Sequence, residues 1–334
     1  MNVLSLFDGM SCGQIAFDKL GIKFDGVKNK YFASEIKKSA IEVTKHNYPN
    51  TIHIGDVTKV SYSNGVLYTE NGEYEVGKID YLVGGSPCQG FSVAGKKLNF
   101  EDDRSKLFFE FVRLLNEIKP KYFLLENVRM KDEIASAIDD LLGVKRVYID
   151  SRYFTGHIRK RYYWTNIPIE PYEHKNLKIK DIIDNKVPFD KDMNFFLDRT
   201  VYDPNKSYDG IITINPKDNK GKQTWQRGRV YDIEGNCPTI CASLFDLNIT
   251  KNHKTYRKLT IEECEKLQGV PVGYTSIAKK NEAGQMLGNG WTVDVIVHIF
   301  KNSLNKKIEN NKVEIGIKKV KLNKVEVEQL KWII

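Results

Sequence analysis

The strongest constraint on the fold is an alternation, through the first half of the chain, of short apolar runs with stretches of helical spacing. Val3 to Phe7 reads as a strand and Gly13 to Leu20 as the helix after it, and Tyr31 to Ser34 with Lys37 to His46 repeat the pair. Ile79 to Val83 is a further strand, Ser105 to Ile118 a long helix, and Tyr122 to Leu125 another strand. Strands that alternate with helices predict an α/β fold, because parallel neighbours need a crossover and a helix supplies it while covering the sheet. Asn64-Gly65 and Asn71-Gly72 bracket Val66 to Thr69, which predicts a small β-hairpin excursion.

From about Pro168 to Tyr256 helical periodicity fades, while Gly, Asn, Asp and aromatic residues multiply. That change predicts a separate, irregular, β-rich domain. Arg257 to Gln268 returns to a helical pattern, and Trp291 to Phe300 is apolar enough for core. A chain of 334 residues can bury one large core and a smaller one. The expected division is residues 1–168 with 257–302, then 169–256, then a tail over 303–334.

From Lys301 onward nine Lys face four Glu, so that stretch carries more than half of the net charge of +9. A solvated surface is the plain reading of that run. Five cysteines at Cys12, Cys88, Cys237, Cys241 and Cys264 make neither a disulfide framework nor a metal-ligand spacing. Reduced thiols in a cytoplasmic protein without metal are expected. The opening residues carry no basic stretch before their apolar run, which argues against a signal peptide. No apolar run is long enough to cross a bilayer.

The first strand leads into Phe7-Asp8-Gly9-Met10-Ser11-Cys12-Gly13, a nucleotide-type turn in which Gly9 and Gly13 let the backbone approach a ligand. Glu35 lies just past the second strand, where an acid bonds ribose hydroxyls. Asp56, followed by Val57, is a candidate acceptor for an adenine amino group. The glycine spacing is wrong for a phosphate cradle, which disfavours ATP and NAD and leaves room for a nucleoside without phosphates. Taken alone, the same residues read equally well as a Gly-rich turn with two surface acids.

The run Gly84 to Phe91 follows a strand and holds Pro87-Cys88, at the sheet edge where open α/β proteins bind ligands. A lone cysteine is more often a small buried hydrophobe. Here Glu126-Asn127-Val128 closes the next strand and brings a carboxylate to the same edge, and Arg159-Lys160-Arg161 leads into Tyr162-Tyr163-Trp164.

Taken in order, these residues resemble the cytosine-5 DNA methyltransferases. Phe7 to Gly13 is similar to the first cofactor motif, Pro87-Cys88 to the Pro-Cys motif, Glu126 to Val128 to the Glu-Asn-Val motif, and Arg159 with Arg161 to the Arg-x-Arg motif. Arg257 to Thr260, with Glu263-Cys264 and Leu267-Gln268-Gly269, resembles the motif that shapes the recognition domain. Leu287-Gly288-Asn289-Gly290 resembles the last motif, which returns to the cofactor pocket. Any one of these would be a common accident, but six in order are specific. The phrase Arg161 to Asn166 looks closest to phage and bacterial enzymes, with some likeness to the animal de novo enzymes. Two departures stand out: Ser11-Cys12 where many bacterial members carry glycine, and His157 where Gln is frequent.

The resemblance implies a Rossmann-like sheet with a smaller target-recognition domain over 169–256, and S-adenosylmethionine as cofactor. It implies Cys88 as nucleophile at carbon 6 of cytosine and Glu126, kept protonated by burial, as donor to ring N3. Arg161 would bond the O2 oxygen, with Arg159 supporting the geometry and the thiolate. Phe7, Gly9, Gly13, Glu35, Asp56, Val57, Pro87 and Asn289 would surround the cofactor. The duplex must release its base by flipping. Gln89, Ser92, Lys96 and Arg104 in the loop after Cys88 would contact the DNA. Arg227 and Arg229, in a basic stretch with Trp225 and Gln226, are candidates for base reading, because arginine recognises guanine edges. The implied partner is double-stranded DNA, bound by a monomer, with a separately acting restriction endonuclease left open. A tRNA-specific branch shares the catalytic motifs, but its Cys-Phe-Thr signature is missing here. A silent DNA-binding relative would lose the nucleophile, which this chain keeps.

Overall fold

The computed structural model describes residues 1–87, 103–193, 200–201, 207–215, 217–218, 220–222 and 224–304, with the side chains at 103–105 and 200–201 left aside. Two compact units divide the chain. The first takes Met1–Ile149, Lys160–Glu170 and the chain from Val297, and the second takes Asp150–Arg159 and Pro171–Ile296. Residues 257–296 therefore cluster with the stretch expected to form the recognition domain, as does the short piece from Asp150.

The first unit is built on a seven-stranded sheet. Its strands are β1 (Asn2–Leu6), β2 (Lys30–Ser34) and β3 (Ile52–His53), with the small strands β4 (Ser61–Ser63), β5 (Val66–Thr69) and β6 (Gly72–Glu75) set apart. The sheet continues with β7 (Tyr81–Gly84), β8 (Tyr122–Val128), β9 (Val147–Asp150) and β10 (Lys160–Thr165), in the order β3-β2-β1-β7-β8-β10-β9. β1 pairs in parallel with β2 on one side and β7 on the other, and β10 runs antiparallel to β8. The chain winds outward from β1 in both directions, which makes the β1/β7 boundary a topological switch point, the place where open sheets leave a crevice for ligands. β4, β5 and β6 form a three-stranded meander instead of the expected hairpin, because both Asn-Gly pairs act as turns.

Helices α1 (Cys12–Lys19), α2 (Lys38–Asn47), α3 (Asp103–Ile118) and α4 (Asp132–Leu142) link these strands. Each fully apolar strand, such as β7 with all four residues buried, is covered on both faces, as parallel strands require. The core runs from Leu4, Leu6 and Leu82 through Phe108 and Phe111 to Trp164. α4 was not expected from the sequence, although Ile134, Ala135, Ile138 and Leu142 bury one stripe of it. Gly143 (φ 68) ends α4 in the left-handed conformation that glycine adopts without steric penalty. At the far end of the chain, Phe300 stacks on Phe17 of α1 with ring centroids 4.4 Å apart, and Ser303 shares a 2.8 Å hydrogen bond with the Tyr81 hydroxyl.

The second unit is irregular. Its main sheet has the order β11-β18-β17-β16, from β11 (Lys191–Asp192), β16 (Val230–Asp232), β17 (Asn248–Thr250) and β18 (Thr255–Lys258). Two further ribbons pair β12 (Thr200–Val201) with β15 (Lys217–Asp218), and β13 (Ser207–Tyr208) with β14 (Ile211–Ile212). The helical pattern expected from Arg257 begins later, at Ile261, because Arg257 and Lys258 still pair with Ile249 and Asn248. Thr260 caps that helix, accepting from the Glu263 amide while the Glu263 carboxylate accepts from the Thr260 amide, a reciprocal capping box. Arg257 holds the same carboxylate through two contacts at 2.8 and 2.7 Å, with both residues buried. Among the described residues no helix is long and apolar enough to cross a membrane.

Candidate active site

The expected site residues of the first unit fall at the carboxyl ends of its strands. β1 ends in a turn in which Phe7, Gly9 and Ser11 have φ of 56, 58 and 61°. Left-handed backbone costs a residue with a side chain about 1–2 kcal/mol, so Phe7 and Ser11 are held there by their surroundings. The Asp8 amide donates to the Ser34 carbonyl (3.0 Å) and the Gly9 amide to Glu35 Oε2 (2.8 Å), which clips the turn to the end of β2. Glu35 Oε1 accepts from the Ile36 and Lys37 amides, both at 2.8 Å. Three backbone donors thus aim the carboxylate that was expected to meet a ribose. Gly13, expected in the turn, is the second residue of α1.

The end of β2 is joined in turn to the segment after β3, where Ser34 Oγ donates to the Gly55 carbonyl at 2.8 Å. Asp56 accepts from the Thr58 amide (2.9 Å) and so caps a short 3-10 turn that starts at the buried Val57.

Asp8, in the same turn, is absent from the residues expected to form the site. Its carboxylate accepts from the Tyr31 hydroxyl (2.9 Å) and from the Ser11 and Ser5 hydroxyls. Burial pushes its pKa up to about 6, against the opposing effect of the hydroxyls. Among the described residues its hydrogen-bond partners are hydroxyls and not cations. The signal was present as an acid immediately before Gly9 in a strand-end turn.

β7 reaches the same edge through Gly84. A Cβ at that position would lie 3.1 Å from both the Leu6 carbonyl and the Phe111 ring, so a side chain would press β7 off β1. The chain then turns through Ser86 and Pro87. Asn127, buried on β8, donates to Ser86 Oγ (3.1 Å) and more weakly to the Ser86 carbonyl (3.3 Å), while its own Oδ1 accepts from the Val128 amide. That amide holds the backbone two residues ahead of Cys88. Cys88, Gln89, Ser92 and Lys96 lie outside the described residues, and so does the side chain of Arg104, whose backbone belongs to α3.

On the other face of β8, Glu126 is 8% exposed, and its Oε1 lies 2.9 Å from Arg161 Nε. Glu126 stands opposite Tyr163, and Arg161 opposite Val128, so the pair is a diagonal one on a single face of the β8–β10 ribbon. Arg161 Nη1 also donates to the Lys160 carbonyl at 2.9 Å.

Arg159, two residues earlier, belongs to the second unit and serves other partners. Its buried guanidinium donates to the carbonyls of Ile240 (3.1 Å), Gly288 (3.0 Å) and Gly290 (2.8 Å). It therefore braces the turn around the exposed Asn289. A Cβ on Gly288 would sit 2.2 Å from the Ala242 amide nitrogen, so the glycine is demanded by close backbone approach. His157, which stands where Gln was expected, is buried with Nδ1 3.1 Å from the Leu267 carbonyl. Among the described residues no group of three or more His, Cys, Asp or Glu side chains could hold a metal.

The family model for C-5 cytosine-specific DNA methylase matches residues 1–133 and 145–305. The chain belongs to that family. It is 43% identical over 125 residues to the type II methyltransferase M.NlaIV of Neisseria lactamica, a match covering 37% of this chain and 27% of that relative. Over a longer span it is 26% identical to the type II methyltransferase M.FnuDI of Fusobacterium nucleatum, covering 95% of this chain and 98% of the relative. Among solved structures the Entamoeba histolytica methyltransferase EhMeth shares the fold, with a TM-score of 0.63 at 15% identity over 90% of this chain and 97% of that one. The first unit is the mostly parallel α/β sheet of class I methyltransferases.

In this family member, of the expected base-reading arginines Arg227 lies within a short 3-10 turn, Gln226–Gly228, and Arg229 follows it. Arg227 is exposed and its Nη2 lies 3.3 Å from the Ser243 carbonyl. Arg229 is half-buried, with Nε donating to the Thr224 carbonyl at 2.9 Å and a side-chain hydrogen bond to Tyr231. Arg229 is thus spent on holding the turn, whereas Arg227 faces solvent.

Proposed function

We propose that this chain transfers a methyl group from S-adenosylmethionine to carbon 5 of a cytosine in a specific double-stranded DNA sequence, with Cys88 as nucleophile. The observation that carries this reading is the pairing of Arg161 on β10 with Glu126 on β8, the strand whose Asn127 anchors Ser86, two residues before Cys88. The donor set also fits the cofactor. Asp8, Glu35 and Asp56 would repel phosphates, and they suit a phosphate-free nucleoside that carries cationic groups. Phe7, Gly9, Gly13, Val57, Pro87 and Asn289 complete the proposed binding set. The bound cofactor supplies an electrophilic methyl group on a sulfonium.

The pyrimidine must leave the duplex for its ring to be reached. Cys88 thiolate then forms a bond to ring carbon 6, and the displaced electron pair makes carbon 5 nucleophilic. Glu126 is paired with Arg161 and is not the isolated buried acid expected from the sequence, so it must first take up a proton. It then delivers that proton to ring N3 and so prevents charge from building on the ring. Arg161 donates to the O2 oxygen. Arg159, expected to support the thiolate, is held by the carbonyls of Ile240, Gly288 and Gly290, and its role is to position the Gly288–Gly290 turn. Once carbon 5 carries its methyl group, its proton is lost to solvent, the returning electron pair re-forms the ring double bond as the sulfur–carbon bond breaks, ring N3 gives its proton back to Glu126, and Cys88 leaves as thiolate.

Residues 1–168 with 257–302 would bind the cofactor and catalyse, residues 169–256 would choose the sequence, and the protein would act as a cytoplasmic monomer. Gln89, Ser92, Lys96 and Arg104 would grip the opened duplex, and a restriction endonuclease would act on the same sequence separately. The deciding experiment exposes unmethylated plasmid DNA and tRNA to the protein with the methyl donor and maps 5-methylcytosine by sequencing. Methylation of one short duplex sequence supports the proposal, and modification of tRNA alone overturns it.

A further inference from the structure

An exposed tryptophan is costly to keep, because its large apolar face stays in water. Trp225 is 82% exposed. It precedes the 3-10 turn Gln226–Gly228, and its carbonyl accepts from the Gly228 amide at 2.8 Å. The turn is pinned from below by two buried amides. Asn215 donates to the Gly228 carbonyl (2.7 Å) and accepts from the Val230 amide (2.8 Å), while Asn248 donates to the carbonyls of Arg227 (3.1 Å) and Arg229 (3.2 Å). The backbone that carries the indole is therefore tied to β16 and β17 of the second unit.

The stretch that carries this aromatic side chain is mainly basic. Lys217, Lys220, Lys222 and Arg227 are exposed on the same stretch, and its one acid, Asp218, accepts from the amides of Lys220 (3.0 Å) and Lys222 (2.8 Å). Cations around a flat apolar face match a nucleic acid, whose phosphates neutralise the cations while a base or sugar covers the ring. A protein partner with an apolar pocket would not call for the surrounding lysines.

We propose that Trp225 is a DNA-contact residue of the recognition unit, its indole lying against base or sugar of the duplex while the neighbouring lysines hold phosphates. This rests on the reading of the chain as a duplex-DNA methyltransferase and adds to it the residue that anchors the recognition unit on the DNA.

The test measures binding of a fluorescein-labelled duplex by anisotropy, together with KM and kcat for the same duplex. Trp225→Ala should weaken binding and raise KM about tenfold or more, while kcat at saturating DNA holds within about twofold. Trp225→Phe should recover much of the loss. The slope of affinity against salt should be unchanged in Trp225→Ala and smaller by about one in Lys222→Ala, because only the lysine neutralises a phosphate. Wild-type affinity and KM in a folded Trp225→Ala protein overturn the inference while leaving the methyltransferase reading intact. So does a loss of self-association with DNA binding unchanged. A wild-type protein that neither binds nor methylates duplex DNA overturns both.

Discussion

Arg161 and Glu126 meet across the β8–β10 ribbon at 2.9 Å, with both side chains largely withdrawn from water. The antiparallel register brings them together, since Arg161 faces Val128 and reaches diagonally to the neighbouring Glu126 on the same face. An ion pair so shielded is costly to break, because the remaining charge loses its partner without regaining full hydration.

Arg161→Ala should therefore lose activity and stability together. We expect kcat to fall about 10²-fold or more and unfolding free energy to drop by about 3 kcal/mol. Glu126→Gln should cost comparable activity and should also lower stability, because it keeps the shape but leaves the Arg161 charge without its partner. Steady-state kinetics and urea denaturation of both variants check this, and wild-type stability in both would contradict the ion-pair argument.

Cys88→Ser should retain cofactor and duplex binding while losing methyl transfer. Calorimetry, gel shift and methyl incorporation separate these, and turnover near the wild-type rate would refute the role given to Cys88.

Asn127→Ala removes both bonds to Ser86 and should cost about 1–3 kcal/mol of stability, the usual penalty for stranding buried polar groups. Because the lost anchor is two residues before Cys88 in the chain, kcat should fall while cofactor affinity holds. An unchanged kcat would show that the Ser86 contact does not position the nucleophile.

Asp8 predicts a pH dependence with a definite sign. Its folded pKa of about 6 exceeds the ordinary 3.8, so the folded state binds more protons between those values. Its contribution to stability is present below about pH 4 and is lost as pH rises through about 6. A cation bound beside it prefers the charged carboxylate, and S-adenosylhomocysteine affinity should rise across the same window. Asp8→Asn should flatten both profiles and weaken binding about tenfold. Urea denaturation and calorimetric ligand titrations from pH 4 to 8 measure the two profiles, and identical profiles in Asp8→Asn would exclude Asp8 as the source.

Arg159→Ala takes three carbonyl contacts from a buried guanidinium and should destabilise the second unit by about 3 kcal/mol. Arg159→Lys should restore only part of that, since an ammonium cannot span carbonyls as a planar fork does. Limited proteolysis around residues 240 and 288 reads the effect, and wild-type resistance in Arg159→Ala would remove the brace.

Much of the fold was legible because it is written in local periodicity. β1, α1, β2, α2, β7 and β8 fall within two or three residues of their expected places, since buried parallel strands must be nearly continuous apolar runs. The sequence does not single out α4 although its stripe is regular, and the helical pattern from Arg257 overlaps the last two residues of the strand Thr255–Lys258. There the apolar spacing was compatible with both, and pairing with Ile249 decided between them.

The sequence alone determined which chemical groups arrive at the sheet edge, because a motif that closes an apolar strand is delivered wherever that strand ends. Glu35, Glu126 and the turn from Phe7 were identified on that ground. Tertiary structure alone decided their partners. Arg159 and Arg161 look equivalent in the chain, yet one braces Gly288 and Gly290 while the other pairs with Glu126. Asp8 looks like an ordinary turn acid until burial among hydroxyls raises its pKa. Strand register and desolvation arise from residues far apart in sequence, and a local pattern carries neither.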